Sequence, residues 1–184
     1  MLRFLLLVFL CLGNVVCEAQ RNDYDEGTIR LTDNPKNAPR FQDYLAQPIY
    51  TGPPARPDVR TNPTSRMFRT MIRDGAKIGP NFAGHYTIVG WGCGSGCSDH
   101  AIVDAKSGVV FHPKHFGAVD NLNIDPELEK PEGRLIKYRL DSKLLIIIGG
   151  INEDPQLRGI SYFVWDNNRL KRIRFVHRPY ASSK

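Results

Sequence analysis

The stretch ISYFVWDNNRLKRIRFV, residues 160–176, decides the fold because it places two β-rich segments on either side of Asn167 and Asn168. Asparagine tolerates the positive φ that two-residue hairpin turns require, so the stretch predicts an antiparallel hairpin. A similar pattern precedes it, in which an Asp-Ser pair joins residues 134–140 to residues 143–148. Two consecutive hairpins predict an antiparallel sheet in the C-terminal part of the chain.

Toward the N-terminus the same alternation of strands and turns continues. β-rich segments cover residues 85–91 and 100–104, and a tight turn at residues 105–108 leads into residues 109–112. No long helical pattern lies between these segments, which argues against parallel crossover connections. We predict a single α+β domain over residues 62–184. It has an antiparallel sheet of about five to seven strands built from hairpins, with one amphipathic helix packed on a face.

The helix is predicted to run from Asn62 to Asp74. Asn62 is a good N-cap, the proline after it suits the first helical position, and Gly75 supplies the stop. The spacing of the apolar residues predicts a stripe on the sheet side and arginines on the water side. The stripe consists of Met67, Phe68, Met71 and Ile72, and the arginines are Arg66, Arg69 and Arg73.

The N-terminus has the organisation of a cleaved signal peptide, residues 1–19. Arg3 precedes an apolar run at residues 4–12, which is shorter than the roughly 20 residues that a membrane-spanning helix needs. Cleavage at its end predicts an exported protein, periplasmic or extracellular. A lipoprotein anchored at Cys17 is a minor alternative, because Val16 stands where a small residue is expected.

Residues 20–61 are polar and rich in proline, which neither propagates a helix nor fits a central strand. We predict an extended arm that wraps the domain, or a partly disordered leader, and we expect that the core does not need it. The prolines are Pro35, Pro39, Pro48, Pro53, Pro54 and Pro57.

The chain carries a formal net charge of +6, which favours attraction to anionic partners. Near the C-terminus Arg172 and Arg174 alternate with Ile173 and Phe175, so an extended strand would place both arginines on one face. Such a basic face would suit an anionic envelope polymer, although it is more often a solvated outer face that discourages edge pairing. No nucleic-acid recognition motif accompanies it, and we predict no membrane span after cleavage of the signal peptide.

The most unusual segment is GWGCGSGC, residues 90–97, which has glycine at every even position. In a straight strand one face would be bare backbone, and Cys93 and Cys97 would stand roughly 13 Å apart. A disulfide needs Cα atoms within about 4.4–6.8 Å, so a bond between them requires the strand to fold back. The other two cysteines leave with the signal peptide, and this pair enters an oxidising compartment. We therefore predict a Cys93–Cys97 disulfide that bends residues 92–99 away from the sheet.

Two functional hypotheses follow from this segment. In the first, a rigid disulfide-closed loop is presented to a protein or an envelope polymer, and its preorganisation lowers the entropy cost of binding. In the second, a hydrolase uses Cys93 or Ser95 as a nucleophile that His85 or His100 activates. We favour the non-enzymatic binding hypothesis because no catalytic motif is complete, and we predict no cofactor. The candidate contact residues are Trp91, Ser95, Asp99, His100 and His85.

Metal binding is a weaker alternative. Cys93, Cys97 and His100 could form one set of ligands, and His112 and His115 could form another. A disulfide would remove the first set, and a pair of loop histidines is more often incidental. We predict no metal site.

Two motifs resemble a family of uncharacterised exported bacterial proteins. The first is NFAGHY, residues 81–86, and the second is WGCGSGC, residues 91–97. Short β segments at residues 102–104 and 108–110 continue the likeness. The resemblance implies a bacterial source and an envelope or extracellular location, and it brings no activity with it.

More distantly, the chain is similar to periplasmic lysozyme inhibitors, which use a small antiparallel domain. One group of these inhibitors has a short disulfide loop that carries a histidine. The likeness, which is at the level of the fold, implies an inhibitor-like binding function. In this chain residues 94–96 of the loop include no histidine, and His100 lies outside it.

Overall fold

The computed structural model describes residues 27–180, so the predicted signal peptide and the first residues of the arm lie outside the described residues. Within this range no helix is both long and apolar enough to cross a membrane. The range contains eight strands, two short helices and three 3-10 turns. The turns are Leu31–Asp33, Phe41–Asp43 and Pro126–Glu129.

All pairings between the eight strands are antiparallel, which confirms the predicted antiparallel sheet. The number of strands exceeds the five to seven expected. The strand that the sequence did not predict is Val119–Asp120, which at two residues is too short to show a period of two. The strands are β1 (Tyr86–Gly94), β2 (Cys97–Asp104), β3 (Val110–Phe111), β4 (Val119–Asp120), β5 (Ile136–Tyr138), β6 (Leu144–Ile151), β7 (Asp154–Asp166) and β8 (Arg169–His177).

The strands follow the order β1-β2-β4-β6-β7-β8, with β3 beside β2 and β5 beside β6. β4 joins the two halves of the sheet through one pair, Asp120 opposite Gly150. Glycine is required at this junction because a Cβ on Gly150 would collide with the Asp120 carboxylate. The close approach connects β1–β4 to β5–β8.

The main core contains side chains from both halves of the sheet. Ile88 and Ile102 enter it from the first half, and Leu145 and Phe163 enter it from the second. Phe116, in the loop between β3 and β4, is fully buried in the same cluster. Burial of this apolar surface is the main force that holds the two halves together.

Two short helices, α1 (Pro63–Met67) and α2 (Arg69–Ala76), replace the single helix predicted over residues 62–74. The predicted cap is present, since the Asn62 side chain accepts hydrogen bonds from two backbone N–H groups of the first turn. Phe68 interrupts the helix with φ −99° and ψ 23°.

The predicted apolar stripe is only half correct. Ile72 is fully buried and Phe68 is partly buried, whereas Met67 and Met71 are 74% and 49% exposed. α2 packs against one strand, β1, so its buried seam is narrow. Ile72 and Ala76, one turn apart, form that seam.

Gly75 does not stop the helix as predicted, because α2 continues through it to Ala76. It is instead a point of close approach to β1. A Cβ on Gly75 would collide with the side chain of Val89. The glycine is needed for packing rather than for termination.

The proline-rich segment contributes to the core, which corrects the expectation that the core does not need it. Ile29, Ala46 and Val59 are 0%, 2% and 2% exposed. Ile29 forms a bridge with Ile124, and Val59 packs in the cluster beneath α2. Proline restricts regular strand pairing but does not prevent the apolar residues between prolines from being buried.

A fully buried arginine of β7 ties the arm to the C-terminal segment. Arg158 donates hydrogen bonds to the carbonyl oxygens of Gly27 (2.9 Å) and Arg178 (2.6 Å). It also donates to those of Leu122 (2.8 Å) and Asn123 (2.9 Å), in the loop after β4. Backbone carbonyls therefore replace water around this buried charge.

Candidate functional site

The Cys93–Cys97 disulfide closes the end of the β1–β2 hairpin, and we refer to residues 93–97 as the hairpin tip. The two Cα atoms lie 5.3 Å apart and the chain reverses at Ser95 and Gly96, which confirms the predicted disulfide and fold-back. Gly96 has a φ of +69°, which favours glycine. Cys93 and Ser95 are exposed, so the tip is both crosslinked and accessible.

The residues that flank the tip stay in the sheet, contrary to the predicted bend over residues 92–99. Trp91 pairs with Asp99, and Gly92 pairs with Ser98. A two-residue reversal is enough to bring the cysteines together, so the two strands remain paired up to the disulfide.

Two of the predicted contact residues make structural contacts within the domain. Trp91 is only 6% exposed, and its ring stacks on Phe68 with 4.8 Å between centroids. Asp99, on the same face, accepts a 2.6 Å hydrogen bond from the backbone N–H of Ala118 and so holds the loop before β4. Of the five predicted contact residues, Ser95 is the one that is exposed at the tip.

His100 points to the opposite face of β2 from Asp99. Its ring stacks on Phe116, with 4.6 Å between centroids and an angle of 12°. Gly90 lies opposite it, where a Cβ would come within 2.9 Å of the imidazole. Burial lowers the pKa of His100 to about 4, so the ring is neutral at pH 7. Its buried Nδ1 has no hydrogen-bond partner in the described part of the chain.

A cleft of about 290 Å³ opens beside His100, lined by residues from both halves of the sheet, and we call it the inter-sheet cleft. Its lining combines apolar side chains with a few polar groups, as is typical of ligand-binding sites. The apolar residues include Ile88, Val119, Ile136 and Ile148, and the polar ones are Ser98, His100, Asn121, Glu129, Arg134 and Tyr138.

Arg134 supplies the cationic group of the inter-sheet cleft. Its guanidinium lies 3.9 Å from the centroid of the Tyr138 ring and donates a 3.0 Å hydrogen bond to the Tyr138 carbonyl. Its Nε is buried and has no hydrogen-bond partner within residues 27–180. The nearby Glu132 pairs with Lys137 instead, at 2.7 Å. Arg134 was not predictable as a site residue, because only the folded sheet brings it into one cleft with His100.

His85 is separated from the hairpin tip by most of β1. It precedes Cys93 by eight residues, which is roughly 26 Å in an extended strand. There it lines a separate cavity of about 380 Å³, its ring packs at a tilt against that of Tyr86, and its Nε2 lies 3.9 Å from an Asp104 carboxylate oxygen. Burial, together with the charge of Lys106, lowers the pKa of His85. The structure therefore does not bring His85 and His100 into one cleft.

Neither candidate nucleophile has a histidine positioned to activate it. Cys93 is in the disulfide and is not a free thiolate. His100 lies three residues beyond Cys97 on β2, roughly 10 Å from the tip and beyond hydrogen-bond reach. No hydrogen bond joins Ser95 to a histidine in the portion that the structure describes.

The two loop histidines do not converge on one point. His112 Nε2 lies 2.7 Å from Ser65 Oγ, whereas His115 stacks on Phe163 with 6.0 Å between centroids. Among residues 27–180 no group of three or more metal-ligating side chains occurs. The Ser65–His112 pair was not predictable from a local pattern, because its members lie 47 positions apart in the chain.

The predicted basic face of β8 does not form, because a β-bulge interrupts the alternation. Arg172 lies opposite Phe163 and Arg174 lies opposite Tyr162, which leaves Ile173 unpaired between them. Residues directly opposite in an antiparallel pair share a face, and the consecutive Tyr162 and Phe163 point to opposite faces. The two arginines therefore lie on opposite sides of the sheet.

No protein-family model, curated protein or solved structure matches the chain.

Proposed function

We propose that this chain is an exported, non-enzymatic binding domain of the bacterial envelope. It presents the hairpin tip and the inter-sheet cleft to a protein partner, in the manner of an inhibitor. The observation that supports this best is that the β1–β2 hairpin ends in an exposed, disulfide-closed tip. One face of the same hairpin lines the inter-sheet cleft. Export and a bacterial source are carried by the signal-peptide pattern and the family resemblance.

The tip is suited to insertion into a partner because it is narrow and fixed in shape. Residues 94–96 carry one hydroxymethyl group and two hydrogens as side chains. The disulfide at their base limits the conformations that binding would otherwise have to freeze. Little entropy is therefore lost when the tip is held.

The inter-sheet cleft complements the tip by offering an apolar lining with several polar side chains, among them His100 and Arg134. His100 is neutral at pH 7 because burial lowers its pKa, and Arg134 is cationic with a buried Nε donor that has no partner among residues 27–180. A partner that surrounds the tip can place a side chain in this cleft. The two features then act as one site.

Capture from a bacterial envelope extract tests this proposal. Ser95→Arg puts a long charged side chain on the tip, and Met67→Arg adds the same charge at a residue that is 74% exposed on α1. We expect the wild type and Met67→Arg to retain the same protein, and Ser95→Arg to retain about tenfold less of it. Equal retention by Ser95→Arg would overturn the assignment of the tip as the contact.

A further inference from the structure

The outer edge of β1 is occupied along its first half. The backbone N–H and carbonyl of Tyr86 both bond to Phe82, at 2.9 Å. At Ile88, two residues further along β1, the Asn81 side chain occupies the edge. It donates to the Ile88 carbonyl (3.1 Å) and accepts from the Ile88 N–H (2.8 Å). Each of these contacts satisfies groups that an edge strand would otherwise leave free.

The same edge is open along its second half. The backbone N–H of Ala105 bonds to the carbonyl of His85, so the odd-numbered residues of β1 direct their backbone groups to β2. The even-numbered ones direct theirs outward, which is why Asn81 reaches Ile88. By this alternation Gly90 and Gly92 are the next two residues whose backbone N–H and carbonyl groups point outward. Both are exposed, and no turn, loop or side chain in the described range bonds to them.

No side chain of β1 blocks an approach to this open edge. A Cβ on Gly92 would meet nothing within 4 Å, so the face of the sheet at this part of the edge is open. Gly90 also lines the inter-sheet cleft, so the edge and the cleft are continuous there. A strand laid along the edge has its alternate side chains directed toward that cleft.

Arg134 favours an acidic side chain in the cleft, since Glu129, the carboxylate among the described lining residues, is exposed to solvent. Arg134 has a buried Nε donor without a partner in the described chain, and a carboxylate is the acceptor that best matches a guanidinium. The net charge of +6 attracts an acidic segment and disfavours a second copy of the same chain.

We propose that the open edge, Gly90 and Gly92, binds an extended peptide strand of a partner protein, with an acidic side chain of that strand directed to Arg134. Main-chain hydrogen bonds hold the peptide, and the inter-sheet cleft selects the side chain. This inference rests on the proposed binding function and names the chemistry of its partner.

Three synthetic peptides test the charge preference: acetyl-TVEVT-amide, acetyl-TVQVT-amide and acetyl-TVKVT-amide. We expect affinity to fall in that order, by about tenfold between the glutamate and lysine peptides. The backbone amide signals of Gly90 and Gly92 should shift on binding in NMR spectra. Arg134→Gln should remove the difference between the glutamate and glutamine peptides while leaving binding of the glutamine peptide. Shifts confined to other residues would overturn the proposal.

A matched pair of variants tests the edge itself. Gly92→Pro removes the outward N–H, and proline is tolerated where an edge strand faces solvent. Gly92→Ala keeps the N–H and adds a methyl group to open space. We expect the proline variant to lose about tenfold or more in peptide affinity and the alanine variant to stay within about threefold. Circular dichroism checks that both are folded.

The outcomes separate this inference from the proposed function. If Gly92→Pro keeps both the peptide and the envelope partner while Ser95→Arg loses the partner, the binding function stands and the strand-addition inference is overturned. A concentration-dependent dimer in sedimentation equilibrium that Gly92→Pro abolishes would assign the edge to a second copy and overturn it as well.

Discussion

Ser65 and His112 are joined by a 2.7 Å hydrogen bond between Oγ and Nε2, although Ser65 lies in α1 and His112 follows β3. Ser65 is fully buried, and burial lowers the pKa of His112, so the imidazole at this contact is neutral at pH 7. A serine beside a histidine is often a catalytic pair, but a hydroxyl without solvent exposure cannot reach a substrate. The bond fixes the helix to the sheet.

Removal of this bond should destabilise the fold without affecting binding. Ser65→Ala leaves the His112 nitrogen unpaired, which costs about 1–3 kcal/mol in the free energy of unfolding. Thr64→Ala, at an exposed position of the same helix, is the control and should change it by less than about 0.5 kcal/mol. Urea unfolding measures both variants. Equal stability of Ser65→Ala and wild type would contradict the structural role.

Loss of the disulfide should cost little stability. The closed loop is so short that the chain-entropy estimate of its contribution is about 2 kcal/mol. In a Cys93→Ser, Cys97→Ser double variant the paired strands on either side of the tip remain. We expect a lower urea midpoint with an unchanged circular dichroism spectrum. The amount of partner protein captured should fall by a larger fraction than the urea midpoint does. A variant that fails to fold would show that the bond is a main support of the domain.

Acidification should destabilise the protein through His100. Because burial lowers the pKa of His100 to about 4, the unfolded chain binds the proton first as the pH falls. The free energy of unfolding is therefore unaffected by His100 above about pH 6.5, and it decreases as the pH falls, by roughly 3 kcal/mol at pH 4.

His100→Phe isolates this contribution because it keeps an aromatic ring against Phe116 and removes the titration. Burial also lowers the pKa of His85, His112 and His115, so the variant should retain part of the acid sensitivity. Urea unfolding at pH 7 and pH 4.5 gives the comparison. An identical loss of stability in the variant and the wild type would contradict the assignment, as would an NMR titration of His100 near pH 6.5.

Gly75→Ala should destabilise the protein although alanine is the better helix former. The gain in helix propensity is about 1 kcal/mol. The added methyl group would collide with Val89, and overpacking of this kind costs about 1–3 kcal/mol. Thermal unfolding should therefore show a lower midpoint. Gly75→Ala combined with Val89→Ala should recover part of the loss, and a stabilised single variant would show that the contact relaxes freely.

The hairpins were predictable because their signals are local. Asn167 and Asn168 both have positive φ in the turn that the sequence placed there. The cysteine spacing likewise required a fold-back whatever the rest of the chain does. β3 and β5 lie inside the predicted segments 109–112 and 134–140, whereas β4 was not predicted, since a segment of two residues carries no readable period.

The site was predicted less well because its parts depend on which face each side chain takes. Trp91 was assigned to a contact surface, although strict alternation places it on the same side as Val89 and therefore beneath the helix. The bulge at Ile173 cancels the alternation on which the basic face depended. Arg134 and His100 are distant in the chain, and no local pattern joins them.

The buried guanidinium of Arg158 has a consequence for the order in which the molecule is completed. Its hydrogen bonds to the carbonyls of Gly27 and Arg178 require the two ends of the described chain to be in place together. In a growing polypeptide that has not reached Arg178, the Arg158 guanidinium would lack one of the carbonyl oxygens that accept its hydrogen bonds. The segment around Arg178 is therefore needed to complete a hydrogen-bonded shell that the residues before it cannot form alone.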